Sequence, residues 1–99
     1  MLKSLNDITP ADLDEITKFA AAFFTPKQIA IVLQVDSEKF IDECDKEDCD
    51  IYLAFHAGRL KSEFEIKQAI VKLAKSGSSP AQTMSMEMLR QSQQKMMEK

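Results

Sequence analysis

The sequence predicts an all-α protein, and three observations support this prediction. The 99 residues include only two glycines and three prolines, which is typical of long helices joined by few turns. Two of the prolines follow a threonine, in Thr9-Pro10 and Thr25-Pro26, and this pair is typical of a helix start. Apolar residues then recur at helical spacing. At this length we expect one helical domain, residues 1–99.

A loose arm is predicted at residues 1–8, followed by a bundle of three short helices within residues 9–46. These helices are predicted over residues 10–24, 26–33 and 37–44. Asp36 or Ser37 is expected to cap the third helix. The predicted turn between the second and third helices therefore covers residues 34–36.

One long helix is predicted over about residues 48–75, within residues 47–76. At 100° per residue, the apolar residues before and after Gly58 share the same phase, which places Gly58 on the polar side. They form two stripes, separated by the charge ladder Arg59, Glu63 and Lys67. One stripe is expected to pack on the N-terminal bundle, and the other on the last helix or on another subunit.

The last helix is predicted over residues 78–99, after Gly77 at the end of the long helix. It is rich in Met and Gln, so we expect its inner half to pack loosely and its end to fray. Eleven apolar residues that keep phase on their helices are predicted to be largely buried: Phe19, Phe23, Ile29, Leu33, Val35, Phe40, Leu53, Leu60, Phe64, Ile70 and Leu73.

The net charge of −3 hides a strong asymmetry along the chain. Residues 1–35 carry three bases and four acids, residues 36–50 carry two bases and eight acids, and residues 51–99 carry eight bases and four acids. The local net charges are therefore −1, −6 and +4. A polyanion should avoid the middle segment and prefer the C-terminal half.

No pattern of residues indicates catalysis, a metal or a cofactor, so we expect a protein that is not an enzyme. Cys44, Cys49 and His56 could complete a zinc site only with carboxylates, and the acids of residues 36–50 lack the spacing of a calcium loop. No apolar run is long enough to span a membrane, and no signal peptide is evident. We expect a cytoplasmic location, in a bacterium or a phage-infected host cell.

The stretch TPKQIAIVLQVDSEKF, residues 25–40, has the features of a helix-turn-helix. Ala30 is small where two helices would cross, Val35 would fill the turn, and Phe40 would anchor the third helix. Gln34 stands where the turn usually has Gly. The alternative interpretation is an ordinary three-helix bundle that does not bind DNA.

Together with YLAFHAGRLKSEFEIKQAIVKLAKSGSSPAQTMSMEML, residues 52–89, this stretch resembles small phage or prophage proteins of the terminase small-subunit type. The resemblance implies a non-catalytic, homo-oligomeric protein that recognises double-stranded viral DNA. It also implies a partner, the large motor subunit to which the DNA is delivered for packaging. Two alternatives are a helix-turn-helix transcription regulator and a protein-interaction adaptor whose acidic patch binds a basic partner.

The acidic third helix opposes contact with phosphate, so we expect DNA contacts elsewhere. Lys27 at the start of the second helix and Lys61, Lys72 and Lys75 on the long helix are the favoured candidates. A competing placement uses residues at and after the start of the third helix: Ser37, Lys39 and Lys46.

Overall fold

The computed structural model describes residues 2–98, and these residues confirm the all-α fold. A 3₁₀ turn at Leu5–Asp7 precedes five helices: α1 (Pro10–Ala21), α2 (Pro26–Leu33), α3 (Ser37–Cys44), α4 (Asp50–Lys75) and α5 (Ser79–Glu98). No β-strand occurs within residues 2–98. The chain divides into two compact units, a first unit up to Ser62 and a second unit from Glu63 onward. The single domain expected from the sequence stays a prediction.

Both Thr-Pro pairs begin helices, as the sequence predicts. The Oγ1 of Thr9 accepts a hydrogen bond from the Asp12 amide at 3.1 Å, and the Thr9 amide donates to the Asp12 carboxylate at 3.0 Å. Thr25 and Gln28 make the same reciprocal pair at the start of α2, at 3.2 and 2.9 Å. These boxes satisfy backbone donors that a helix start otherwise leaves free.

Helix α1 ends at Ala21, three residues before the end predicted from the sequence. Phe23 adopts a left-handed conformation, with φ of 66°, and the Phe24 amide donates to the Phe19 carbonyl at 3.1 Å. This closing bond turns the chain out of the helix. Gln34 does the same after α2, with φ of 60°, and the next amide donates to the Ala30 carbonyl at 3.0 Å.

The core of the first unit is a cluster of nine buried residues: Ile16, Ala20, Ile29, Ala30, Val35, Phe40, Cys44, Ile51 and Phe55. The predicted burial of Ile29, Val35 and Phe40 is confirmed, while Phe19 and Leu33 are half-buried. The predicted burial of Phe23, Leu53 and Leu60 is wrong, because these side chains are 50%, 55% and 63% exposed.

The packing of Gly58 explains why the buried side of α4 differs from the side that was predicted to be buried. Gly58 is buried against α1, and a Cβ added there would lie 2.2 Å from the Thr17 carbonyl oxygen. The Thr17 hydroxyl also donates to the Ala54 carbonyl at 3.0 Å. The prediction that Gly58 lies on a polar side is therefore wrong. The missing side chain lets two backbones approach closely, which turns Leu53 and Leu60 outward.

The N-terminal arm is packed against the first unit, so the predicted loose arm is wrong. The Lys3 amide donates to the Gln34 carbonyl at 2.7 Å, and the Lys3 ammonium donates to the Asp12 carboxylate at 2.5 Å. Leu5 and Ile8 are partly buried against the core. Two apolar contacts and a backbone hydrogen bond therefore hold the arm against the first unit. The segment is too short for a periodic pattern of apolar residues to predict this packing.

The second unit consists of the C-terminal part of α4, a short turn and α5. Gly77 has φ of 103° and the Ser78 amide donates to the Leu73 carbonyl at 3.1 Å, which confirms the predicted helix end. Ile70 is half-buried, but Phe64 and Leu73 are 61% and 56% exposed, so their predicted burial is wrong.

Candidate nucleic-acid interface

Helices α2 and α3 pack against each other across a short turn. Ile29 and Ala30 of α2 and Phe40 of α3 are fully buried, and Val35 in the turn is 2% exposed. These are the positions that the sequence assigns to the crossing and the turn. Gln34 adopts the left-handed conformation that Gly usually adopts in such a turn. The turn therefore forms although this position is not a glycine.

The predicted contact residues on this helix pair lie at the starts of the two helices. Lys27 is exposed in the first turn of α2, and Lys39 is exposed in the first turn of α3. Ser37 is half-buried as the first residue of α3. The Asp36 carboxylate accepts a hydrogen bond from the Lys39 amide at 3.0 Å, which places a negative charge beside this lysine.

The N-terminal arm and α3 together line a cleft of about 590 Å³. Two lysines of the third-helix segment, Lys39 and Lys46, lie on one wall, and Lys3 lies on the other. The sequence did not single out Lys3, because the arm was expected to be loose. The Lys3 ammonium holds the pKa of the Asp12 carboxyl below its usual value, and a hydrogen bond from the Thr9 amide lowers it further.

Lys46 also lines this cleft, and it is paired with an acidic residue. Its ammonium pairs with the Glu43 carboxylate at 2.9 Å. The thiol of Cys49 donates to the same carboxylate at 3.0 Å, and this bond, followed by that from Lys46, lowers the pKa of Glu43. Glu43 therefore stays charged near neutral pH. Within residues 2–98, Lys39 forms no ion pair, so among the three lysines of the cleft it is the one most available to an anion.

Acids surround these lysines on α3 and on the loop that follows it. Five of them are exposed: Glu38, Asp42, Asp45, Glu47 and Asp48. Their charges raise the energy of any phosphate that approaches the solvent side of α3. The arrangement therefore places a weak cationic position inside a negative surface.

The candidates on α4 lie in different surroundings. Lys61 is exposed in the first unit, while Lys72 and Lys75 are exposed in the last turns of α4, in the second unit. Among the described residues, none of the three forms an ion pair. Their ammonium groups are free to meet phosphate.

Arg59 serves the fold of the first unit. Its Nη2 donates to the Phe24 carbonyl at 2.9 Å, and its guanidinium carbon lies 5.0 Å from the Phe55 ring centroid and 5.9 Å from that of Phe23. These contacts join α4 to the end of α1. The rest of the predicted charge ladder is confirmed, because Lys67 and Glu63 pair at 2.9 Å.

The two cysteines and the histidine do not converge on a metal site. Within residues 2–98, no three residues of the types that bind metals are grouped closely enough to hold an ion. Burial raises the pKa of the Cys44 thiol to about 12. The Nε2 of His56 lies 3.1 Å from the Cys44 carbonyl oxygen, and its ring contacts those of Tyr52 and Phe55. These residues act as packing elements between α3 and α4.

No family model, no curated protein and no solved structure matches this chain. Among the described residues, no helix has the length and apolar character required to cross a membrane.

Proposed function

We propose that this protein is a non-catalytic DNA-recognition subunit, similar to a phage terminase small subunit. It binds double-stranded DNA as a homo-oligomer and presents that DNA to a large motor subunit for packaging. The observation that carries the proposal is the α2–α3 pair, whose buried crossing and left-handed turn at Gln34 fit a helix-turn-helix. The resemblance of residues 25–89 to this class of protein supports it.

In this proposal, α2 and α4 make most of the contact with phosphate, and α3 makes little. Lys27, Lys61, Lys72 and Lys75 are exposed and lie outside the acidic segment. A few lysines per chain give weak binding, because each phosphate contact contributes through the release of one counterion. Several copies acting together would multiply this weak affinity. Oligomerisation is therefore part of the proposed mechanism.

Charge reversal tests where DNA binds. Lys61→Glu or Lys72→Glu should each weaken binding to a duplex by about tenfold at low salt. Each should also lower by about one the number of counterions released on binding, which is read from the slope of log affinity against log salt concentration. Lys18→Glu, an exposed lysine of α1 outside the proposed contacts, is the matched control. Binding is measured by fluorescence anisotropy over a series of salt concentrations.

The outcomes separate the two placements of DNA. If Lys39→Glu abolishes binding while Lys61→Glu and Lys72→Glu leave it unchanged, α3 contacts DNA and the proposed placement is wrong. If the unaltered protein binds no duplex even at low salt, DNA recognition itself is wrong.

A protein-interaction adaptor is the second candidate, and the exposed acids on and after α3 favour it. Asp42, Asp45 and Glu47 are exposed, and the loop has few cations to offset them. Such a surface suits a basic partner and repels nucleic acid. An adaptor would bind a lysine-rich peptide in a salt-dependent manner, and Asp42→Asn with Asp45→Asn would weaken that binding without affecting the fold.

A further inference from the structure

The solvent side of α2 carries apolar residues and one cation, and it is called the α2 face below: Lys27, Gln28, Ile31 and Val32. All four residues are exposed, and Ile31 and Val32 are 62% and 49% exposed. We propose that the α2 face binds an acidic amphipathic helix of a partner protein, with apolar side chains on Ile31 and Val32 and carboxylates near Lys27. The inference goes beyond the proposed function, and it requires neither DNA nor self-association.

The packing of α2 fixes which of its sides meets solvent. Ile29 and Ala30 are fully buried and Leu33 is half-buried, so these three residues define the side that contacts the core. At 100° per residue, the α2 face is centred roughly 180° from them. An eight-residue helix therefore presents two β-branched apolar side chains to water.

An aromatic side chain lies at the N-terminal end of the α2 face. Phe23 is two residues before the Thr25 cap of α2 and is 50% exposed. The guanidinium carbon of Arg59 lies 5.9 Å from the Phe23 ring centroid, and its Nη2 donates to the Phe24 carbonyl at 2.9 Å. Phe23 also has φ of 66°, a costly conformation for a bulky residue that recurs at functional positions. The ring is therefore held at the start of α2, where it extends the apolar surface.

Charge selects the class of partner. The sequence from Ile16 to Val35 has two lysines and no acid, and Lys27 forms no ion pair within residues 2–98. The eight acids of residues 36–50 begin directly after Val35. A partner's carboxylates are therefore attracted to α2 and repelled by α3, which favours one orientation of an acidic helix on the α2 face.

The exposed apolar residues favour a protein over nucleic acid. A phosphate group is attracted to Lys27 but gains nothing from Ile31 or Val32, whose burial is favourable only against another apolar surface. An apolar centre with a charged rim is the usual anatomy of a protein interface. Lys27 can pair with either a phosphate or a carboxylate, so Ile31 and Val32 decide between the two classes of partner.

The test is the binding of a designed peptide to the full chain at low salt, measured by fluorescence anisotropy without DNA. The probe is a fluorescein-labelled helix of about 18 residues with Leu along one side and Glu on both flanks. Ile31→Gln with Val32→Gln should weaken binding by more than about tenfold, because two apolar contacts are lost. Leu53→Gln with Leu60→Gln is the matched control: it removes two apolar side chains of similar exposure from α4 and should leave binding unchanged.

Charge reversal tests the acidic part of the recognition. Lys27→Glu should also weaken binding by more than about tenfold, because the carboxylates of the probe would then meet a like charge. Lys95→Glu changes the net charge equally at an exposed position of α5 and should have little effect. A second probe with Ser in place of Leu should bind about tenfold more weakly than the first. Circular dichroism of each variant should match that of the wild type, because all the altered residues are exposed.

The possible results separate this inference from the proposed function. Absence of binding at about 500 µM protein, equal weakening by both Gln double variants, or equal affinity for the two probes overturns the inference. DNA titration of the same variants gives a further test: if Ile31→Gln with Val32→Gln weakens duplex binding as much as peptide binding, the α2 face contacts nucleic acid and the inference is wrong. A chain that binds the first probe through the α2 face but binds no duplex upholds this inference and refutes DNA recognition.

Discussion

The first and second units are both helical, but they differ in how they are held together. In the first unit, α1, α2 and α3 surround Phe40, Ile16 and Ile29, each fully buried, and the starts of α1 and α2 are closed by capping boxes. In the second unit, which comprises the C-terminal part of α4 and α5, only Ala81 is buried among residues 63–98. Apolar residues therefore form a core in one region and stay mostly exposed in the other. The difference distinguishes a region with a packed core from a region whose large apolar side chains stay mostly exposed.

The largest expected effect comes from removing a core side chain of the first unit. Phe40→Ala should lower the free energy of unfolding by about 3–5 kcal/mol, because a fully buried ring is lost and a cavity remains. Phe64→Ala is the control in the second unit, and at low micromolar concentration it should cost less than about 1 kcal/mol, because Phe64 is 61% exposed. Urea denaturation followed by circular dichroism measures both. Equal losses would show that the two units do not differ as described.

The close approach of α4 to α1 gives the next effect. Gly58→Ala should destabilise the first unit by about 3 kcal/mol, although alanine favours helix, because its Cβ would lie 2.2 Å from the Thr17 carbonyl oxygen. Gly77→Ala meets no atom within 4 Å and should cost only about 1 kcal/mol, through its φ of 103°. Hydrogen exchange of the amides of α1 and α4 would locate the loss. A stable Gly58→Ala variant would contradict this crossing.

Cys44 should make the first unit sensitive to alkali. Its thiol has a folded pKa of about 12 against an ordinary value of 9.0, so the unfolded chain releases this proton first. Stability from this group is complete below pH 9 and falls by about 1.4 kcal/mol per pH unit above it, toward pH 12. The free energy of unfolding of the wild type, minus that of Cys44→Ala, should therefore shrink between pH 8.5 and 10. A constant difference would show that the thiol is not shielded from water.

The smallest effect concerns the left-handed turn between α2 and α3. Gln34→Gly should stabilise the first unit by about 1 kcal/mol, because glycine adopts φ of 60° without steric cost. Phe23→Gly relieves the same kind of strain at φ of 66°, but it removes the ring beside Arg59 and should bring no gain. Thermal unfolding of both variants measures the difference. Destabilisation by Gln34→Gly would show that the glutamine side chain stabilises the turn by contacts of its own.

Parts of the candidate interface follow from the sequence, and parts do not. Lys61 and Lys72 are exposed, as their polar phase predicts, and Lys27, Lys39 and Lys75 are exposed as well. Whether these lysines touch DNA stays a prediction. The cleft between the N-terminal arm and α3 did not follow from any pattern. It exists because the Lys3 amide reaches the Gln34 carbonyl, a bond between residues that are distant in sequence.

The sequence by itself determined where the helices begin and where most of them end. Thr9, Thr25 and Gly77 act through bonds to residues within a few positions along the chain, so a local pattern is enough to identify them. Only the tertiary structure decided which side of α4 faces the core. Its two apolar stripes are similar in the sequence, and the packing of Gly58 against Thr17, forty-one positions earlier in the chain, turns Phe55 inward and Leu60 outward. No local pattern encodes a contact between two backbones so far apart.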